Sequence, residues 1–190
     1  RGYACSLGTA APLACAAGRY GDAPAQTSRE CSGPCAEGHY CEEGSTRADA
    51  GVCPAGTFNR DIGGASPAAC NPSPRGSFSS RAGSTASHRC APGSYQPLEG
   101  QTACLPCAAG EHQPESGAVE CLRCDVGWSS SPGSAECTTC AEGFYRAASA
   151  CAQCPAGGAC AWNTTLATLR TRPGFWRLSP FTSRIYECGG

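Results

Sequence analysis

The chain has 190 residues, among them 18 Cys, 25 Gly and 15 Pro, with no Met. Its large aliphatics and Phe number only eighteen, about 9% of the chain, where a globular core asks for ~20%. A single packed domain is therefore excluded as the default, and the cysteine content points to a covalently stapled scaffold. Fourteen basic residues, all Arg, meet fifteen acidic ones for a net charge of −1, with no basic run of the kind a nucleic-acid binder carries.

No stretch approaches the ~18 consecutive apolar residues of a membrane span, and no signal peptide is visible. Both ends look cut from something larger. Along the chain the tetrapeptide Cys-x-x-Gly recurs: Cys15 to Gly18, Cys35 to Gly38, Cys53 to Gly56, Cys90 to Gly93, Cys107 to Gly110, Cys124 to Gly127, Cys140 to Gly143 and Cys154 to Gly157. A ninth copy starts at Ser73 in place of Cys. Two residues after the Gly comes an aromatic: Tyr20, Tyr40, Phe58, Phe78, Tyr95 and Tyr145. His112 fills that slot once, and Trp128 sits one place early in another copy.

Each copy closes on a second Cys: Cys31, Cys41, Cys70, Cys104, Cys121, Cys137, Cys151 and Cys160. In the copy opening at Ser73 the closing slot falls on Ser87. That alignment is fixed by a Gly four residues before the closer (Gly83, Gly100, Gly117, Gly133) and by the next opener three residues after it, as in Cys104/Cys107 and Cys121/Cys124. The pattern predicts a string of small hairpins. Opener and aromatic lie on one short strand, a Gly/Ser/Pro-rich turn follows, and the closer returns on the second strand. The aromatic is expected to cover a neighbouring disulfide. A lone hairpin is marginal in water, and a bridge closing a ~15-residue loop adds roughly 3 kcal/mol in the loop-entropy model.

The Ser73/Ser87 copy bears on the pairing. If opener pairs with closer, losing both strands no thiol; an interleaved scheme orphans two other cysteines. The reading favours Cys15–Cys31, Cys53–Cys70, Cys90–Cys104, Cys107–Cys121, Cys124–Cys137 and Cys140–Cys151. For the short copies, Cys35 with Cys41 and Cys154 with Cys160, interleaving with Cys53 or Cys188 stays open. Cys5 and Cys188 are left over, with partners beyond the two ends or in the short copies. The bridgeless copy is expected to be the most mobile joint.

The rival chemistry is zinc. Cys104-x-x-Cys107 followed by Cys121-x-x-Cys124 has ribbon spacing, and Cys137, Cys140, Cys151 and Cys154 make a second such set. The longer series does not group in fours, and a zinc site tolerates no paired Ser replacement, so a zinc-binding array is only the third choice. Redox catalysis by Cys-x-x-Cys needs a reactive thiolate at a helix start, which nothing here predicts. His39, His88 and His112 are scattered, and no catalytic constellation or phosphate loop emerges; the reading is a protein without enzyme activity or cofactor.

Asn163-Thr164-Thr165 is an acceptor triplet for N-glycosylation. The segment after Cys160 is aromatic-rich, with Trp162, Phe175, Trp176, Phe181 and Tyr186. It is expected to be a small β-rich cap on the last repeats or, alternatively, an exposed binding face.

The series CPAGTF, CAPGSY, CAAGEH and CAEGFY, each followed by a closing Cys-x-x-Cys, resembles the cysteine-rich repeats called ephrin type-A/B receptor-like. It is similar to the simplest modules of tumour-necrosis-factor receptors and, more loosely, to EGF-like domains. The resemblance runs from Cys15 to Cys160; the PGFWRLSPFTSRIYEC tail looks like segments following such repeats in large algal or protist membrane proteins. It implies architecture rather than a particular role, and nothing resembles a kinase.

The expected fold is a small disulfide-rich repeat array of short β-hairpins with much irregular structure, elongated, with no single hydrophobic core. Residues 1–14 end a preceding repeat, 15–52 hold cysteine-rich repeats including a short Cys-x5-Cys copy, 53–160 are tandem ephrin-receptor-like repeats, and 161–190 are the cap or the start of a next module. Contacts are expected between neighbouring repeats only. Disulfides on this scale imply an oxidising, extracellular setting: a stalk, adhesion or receptor-ectodomain segment of a larger surface protein, or alternatively a receptor module for a protein or glycan. The expected partners are neighbouring modules of the same parent and an extracellular protein or glycan, with no nucleic acid and no membrane span in the chain.

Overall fold

A computed structural model describes residues 1–5, 11–24 and 26–189; the middle of the 1–14 segment and Gly190 lie outside the described residues. Apart from one 3-10 turn at Pro67–Ala69, the regular structure is short strands, paired in small sheets. The small disulfide-rich repeat fold is thus what the chain adopts. No helix among the described residues is long and apolar enough to cross a membrane.

From the Cys15 to the Cys107 repeat, each copy contributes one hairpin of two-residue strands. Arg19–Tyr20 pairs with Gly33–Pro34, His39–Tyr40 with Gly51–Val52, Thr57–Phe58 with Asn71–Pro72, and Ser77–Phe78 with His88–Arg89. The Cys124 repeat is offset by one, with Trp128 facing the opener Cys140 and Ser129 facing Thr139, but in these four the two residues after the Gly face the two residues before the next opener. Glu111–His112 and Leu122–Arg123 repeat this arrangement further along. Tyr40 lies against the Gly51 opposite it, where any Cβ would collide with the ring. Phe78 meets His88 with centroids 5.9 Å apart.

The chain forms two compact bodies. The first comprises Arg1–Cys90, Gln96–Leu105 and Gly117–Val119. Within it consecutive repeats are joined by four backbone hydrogen bonds. Between the Cys35 and Cys53 repeats, Cys53 N–H donates to Gly38 C=O (3.0 Å) and Gly38 N–H to Asn59 C=O (2.8 Å). Cys41 N–H donates to Gly64 C=O and Gly63 N–H to Cys35 C=O, both at 2.9 Å. The same four recur one repeat later as Ser73 to Gly56, Gly56 to Ser79, Asn59 to Ser84 and Gly83 to Cys53. Side chains take no part in these bonds, so the junction tolerates almost any residue that leaves the backbone free.

Glycine is required at the Cys-x-x-Gly position for two reasons. Its φ is positive, +87° at Gly18 and +89° at Gly56, a region costly for residues with a Cβ. A Cβ on Gly18 would also lie 2.5 Å from the Gly63 carbonyl oxygen. Gly63 belongs to the turn of the repeat after next. Gly56 stands in the same relation to Gly100. Contacts therefore reach the second neighbour, one further than the spacing predicts, because the turn folds back over two openers.

The second body comprises Ala91–Tyr95, Pro106–Ser116 and Glu120–Gly190. Between its Cys107 and Cys124 repeats the four bonds recur: Cys124 to Gly110, Gly110 to Ser130, Gln113 to Ser134 and Gly133 to Cys107. After Cys124 the pattern thins. Ala141 N–H still reaches Gly127 C=O (2.9 Å), but the four-residue strands Phe144–Ala147 and Ala150–Gln153 form a tighter hairpin without a turn glycine. Its strand Phe144–Ala147 adds a third, parallel partner at Thr164–Thr165. A small cluster forms there: Tyr145, Cys160 and Leu169, flanked by Leu166 and Ile185. The segment after Cys160 also carries the repeat's hairpin register, Phe175 facing Glu187 and Trp176 facing Tyr186, with Cys188 N–H on Gly174 C=O (2.8 Å) where an opener stands.

These observations set an expectation for Gly56→Ala: loss of at least about 2 kcal/mol from the left-handed backbone and the Gly100 collision together. Chemical denaturation of the oxidised protein checks it; an unchanged midpoint would show that the two-repeat overlap carries no stability.

Candidate functional site

The chemistry-bearing groups of this chain are its cysteines. Eight bridges form: Cys15–Cys31, Cys35–Cys41, Cys53–Cys70, Cys90–Cys104, Cys107–Cys121, Cys124–Cys137, Cys140–Cys151 and Cys154–Cys160. Every one closes within its own repeat. The Cys-x-x-Cys pairs are therefore split: Cys104 and Cys107 belong to different bridges, as do Cys121 and Cys124, and Cys137 and Cys140. Cys5 and Cys188 are unpaired and exposed.

One position of the repeat, three residues after the Gly, went unread in the sequence. It holds Cys41, Asn59, Ser79, Gln96, Gln113 and Ser130 in successive repeats, all of them buried. Polar side chains here are fully used. Gln96 Nε2 donates to Ala103 C=O and Gln113 Nε2 to Glu120 C=O, both 2.8 Å, in each case the residue before the closer. Asn59 Nδ2 reaches back to His39 C=O (3.0 Å). In the sequence this position is a column of small or amide residues directly after the aromatic slot, without the constant identity that marks the Cys and Gly positions.

That position explains the bridgeless repeat. The Ser73 hydroxyl pairs with Ser79 at 2.8 Å, both residues fully buried, and Ser79 bonds on to Ala86 C=O. Opener and follow-on position are six residues apart, as in Cys35–Cys41 and Cys154–Cys160. Ser73 and Ser79 thus occupy the two places of a short bridge. Ser87 is half-buried. The junction bonds on both sides of this repeat are intact, from Ser73 N–H to Gly56 C=O and from Gly100 N–H to Ser73 C=O.

The aromatics of the last segment divide. Phe175 is half-buried, while Trp162 (53%), Trp176 (45%), Phe181 (80%) and Tyr186 (38%) are exposed. Trp176 stacks on Tyr186, centroids 5.1 Å apart. A cleft of about 530 Å³ is lined by Trp162, Asn163, Glu142, Thr168 and Arg170 among others. Asn163 is exposed and left-handed, φ +56°, a conformation Asn tolerates. A smaller cavity of about 180 Å³ is lined by His112, Asp125, Trp128 and Cys137. There His112 Nδ1 lies 3.1 Å from Cys137 Sγ. A ring nitrogen of His112 and the sulfurs of Cys124 and Cys137 all lie within 4.8 Å of one another, and the two sulfurs are joined in a bridge. His39 Nδ1 rests on its own Glu37 carbonyl and His88 on Phe78.

Electrostatics are sparse. The Arg47 guanidinium hydrogen-bonds Asp49 through two nitrogens, at 2.8 and 2.7 Å, and holds the Asp49 carboxyl below its ordinary range. Both groups are exposed, so the pair orders a turn and little else.

Residues 76–124 match the family model described as tyrosine-protein kinase ephrin type A/B receptor-like. This part of the chain is an ephrin receptor-like cysteine-rich module. No curated protein matches the chain. The matched stretch covers the repeats opening at Cys90 and Cys107 with their bridges. Modules of this kind are cysteine-rich repeats without catalytic machinery, typically extracellular, and the word kinase in the description has no counterpart in these residues.

Two outcomes are expected. The double variant Ser73→Cys, Ser79→Cys forms a ninth bridge under oxidising refolding and gains about 2 kcal/mol, the loop-entropy value for so short a loop; free thiols at both positions in peptide mapping would refute the slot assignment. Full reduction and alkylation of the native chain collapses its circular dichroism and compactness, since the hydrophobic cluster is far too small to stand alone. A reduced chain of unchanged hydrodynamic radius would show that the backbone ladder suffices.

Proposed function

We propose that this chain is a non-catalytic extracellular segment of a larger surface protein, a stalk, adhesion or receptor-ectodomain piece whose work is spacing and presentation. One observation carries the reading. Every covalent staple lies inside a repeat and the four bonds that recur at the junctions between consecutive repeats are backbone to backbone, so the array holds its geometry while leaving most outward side chains uncommitted. A bridge set of this density persists in an oxidising compartment. Its partners are then the neighbouring modules of the same parent and the extracellular molecules it meets, with no nucleic acid among them. Asn163, exposed in a cleft wall, carries an N-linked glycan when the chain passes through a glycosylating secretory pathway.

A second reading has its own support. The exposed Trp162, Trp176 and Tyr186 are of the residue types that anchor ligands, and the exposed Phe181 and Leu178 (76%) add apolar surface beside them in the sequence. On that reading the last segment is a receptor face for which the repeats are the mount.

Secretion of the full chain from a eukaryotic host tests the first reading. Peptide mapping after blocking free thiols is expected to find sixteen cysteines in the eight bridges above and a glycan on Asn163. Retention inside the cell with many free thiols and bound zinc would overturn the extracellular assignment. The second reading expects Trp176→Ala with Phe181→Ser to abolish adhesion to cells or glycan surfaces while the bridges stay intact.

A further inference from the structure

One bridge differs from the other seven. Neither Cys124 nor Cys137 is buried, whereas each remaining bridge has at least one buried cysteine. The cause lies in the next repeat. In every repeat before the Cys124 one, from Cys15 to Cys107, a glycine of the following turn donates to the opener's carbonyl, as Gly133 N–H does on Cys107 C=O at 2.9 Å. The Cys140 repeat closes over only 11 residues and turns at Ala148, φ +54°. No described backbone bond reaches the Cys124 carbonyl. The cavity lined by His112, Asp125, Trp128 and Cys137 lies beside the bridge.

A second observation is independent of exposure. His112 stands where other repeats place Tyr or Phe, and its Nδ1 meets Cys137 Sγ at 3.1 Å. A phenyl or phenol ring at this position would bring no nitrogen to the sulfur. A ring N–H beside one sulfur of a disulfide makes that sulfur the better leaving group, because the departing thiolate is stabilised as it forms.

We propose that Cys124–Cys137 is a thiol-exchange site, a covalent modification point for an incoming thiol. An external thiolate attacks Cys124 Sγ. A new S–S bond forms between the two, the Cys124–Cys137 bond breaks, and its electron pair leaves on Cys137 Sγ, where the His112 Nδ1–H donates to it. A second thiol then attacks the incoming sulfur of the mixed disulfide and releases the Cys124 thiol. Two thiols are oxidised to a disulfide and the bridge takes up their two electrons. Opening frees a loop at the place where the backbone ladder is already thinnest. His112 is a positioning residue that acts through the leaving sulfur. The inference rests on the extracellular reading only for the bridge's oxidised resting state.

The test uses the native, fully oxidised chain in low millimolar glutathione, quenched by alkylation and mapped by mass spectrometry. Cys124–Cys137 is expected to open first, with the glutathione adduct on Cys124. His112→Tyr, which restores the ring of the other repeats, is expected to slow that opening about tenfold and to leave the other seven bridges at their wild-type rates. His112→Phe is the second variant, and the order of opening in the wild type stands whether or not either folds. First opening at another bridge, an adduct on Cys137, or wild-type rates in a folded His112 variant each overturn the proposal. A parallel arm replaces glutathione with reduced thioredoxin. Activity in the first arm alone assigns a small thiol, activity in the second alone a protein thiol, and inertness in both refutes the site. Failure of the extracellular reading shows separately, as unbridged cysteines in the secreted-protein map.

Discussion

The structure depends on one glycine per repeat and on what its missing Cβ lets through. The amide of Gly38 donates to the next repeat and its carbonyl accepts from the next opener, while the space beside its Cα is taken by Gly83, from the turn of the repeat after next. A hydrogen bond of this kind contributes only about 0.5–1.5 kcal/mol net, and a two-residue hairpin alone is not stable. The smallest stable element is thus a repeat together with the two that follow it. Cooperativity comes from this overlap, since removing one turn uncovers two earlier repeats.

Disulfides and backbone bonds divide the work. A bridge within a repeat reduces the freedom of the unfolded loop by roughly 3 kcal/mol in the entropy model and fixes where opener and closer lie. It does not join one repeat to the next. The ladder does that, and it survives intact around Ser73 and Ser79, where a buried hydroxyl pair replaces the staple. The ladder therefore needs the geometry of the staple at that point rather than its covalent bond. The short bridges Cys35–Cys41 and Cys154–Cys160 are the same geometry with sulfur in place of oxygen.

Much of this was legible in the residues because cysteine and glycine are constrained by local rules. A Gly at fixed distance from a Cys announces a positive φ, and the step from closer to opener announces a hairpin. What stayed hidden depends on non-local approach. Nothing in the spacing of Gly18 says that Gly63 will lie against it. The partner of Ser73 was sought at the closing slot, Ser87, because six repeats close that way. The structure places Ser79 there instead, a residue belonging to a column of Asn, Gln and Ser that carries no periodicity signal of its own. The segment after Cys160 hid its hairpin for the opposite reason. Gly174, Trp176 and Cys188 keep the repeat's positions, but bulky neighbours such as Phe175, Leu178 and Phe181 made the stretch look like a different element.

A repeat built on backbone bonds gains freedom to vary its side chains, and function belongs where it departs from its own pattern. Two departures lie in the second body. The tail exposes apolar rings that the repeats have no need of, and it buries Leu169 with Tyr145, the partly buried Leu166 and Ile185 packing against them, so those rings are held on a packed base instead of a loose end. The other departure spans two repeats: a shortened neighbour leaves the Cys124–Cys137 disulfide uncovered, and in the Cys107 repeat before it the His112 imidazole stands in for a phenol. Stability alone would favour the covered bridge and the larger ring, as at Cys90 and Tyr95. Uncovering the bridge loosens a joint that the remaining repeats keep closed, so the same two changes that weaken the array at this point also make its geometry responsive to thiols.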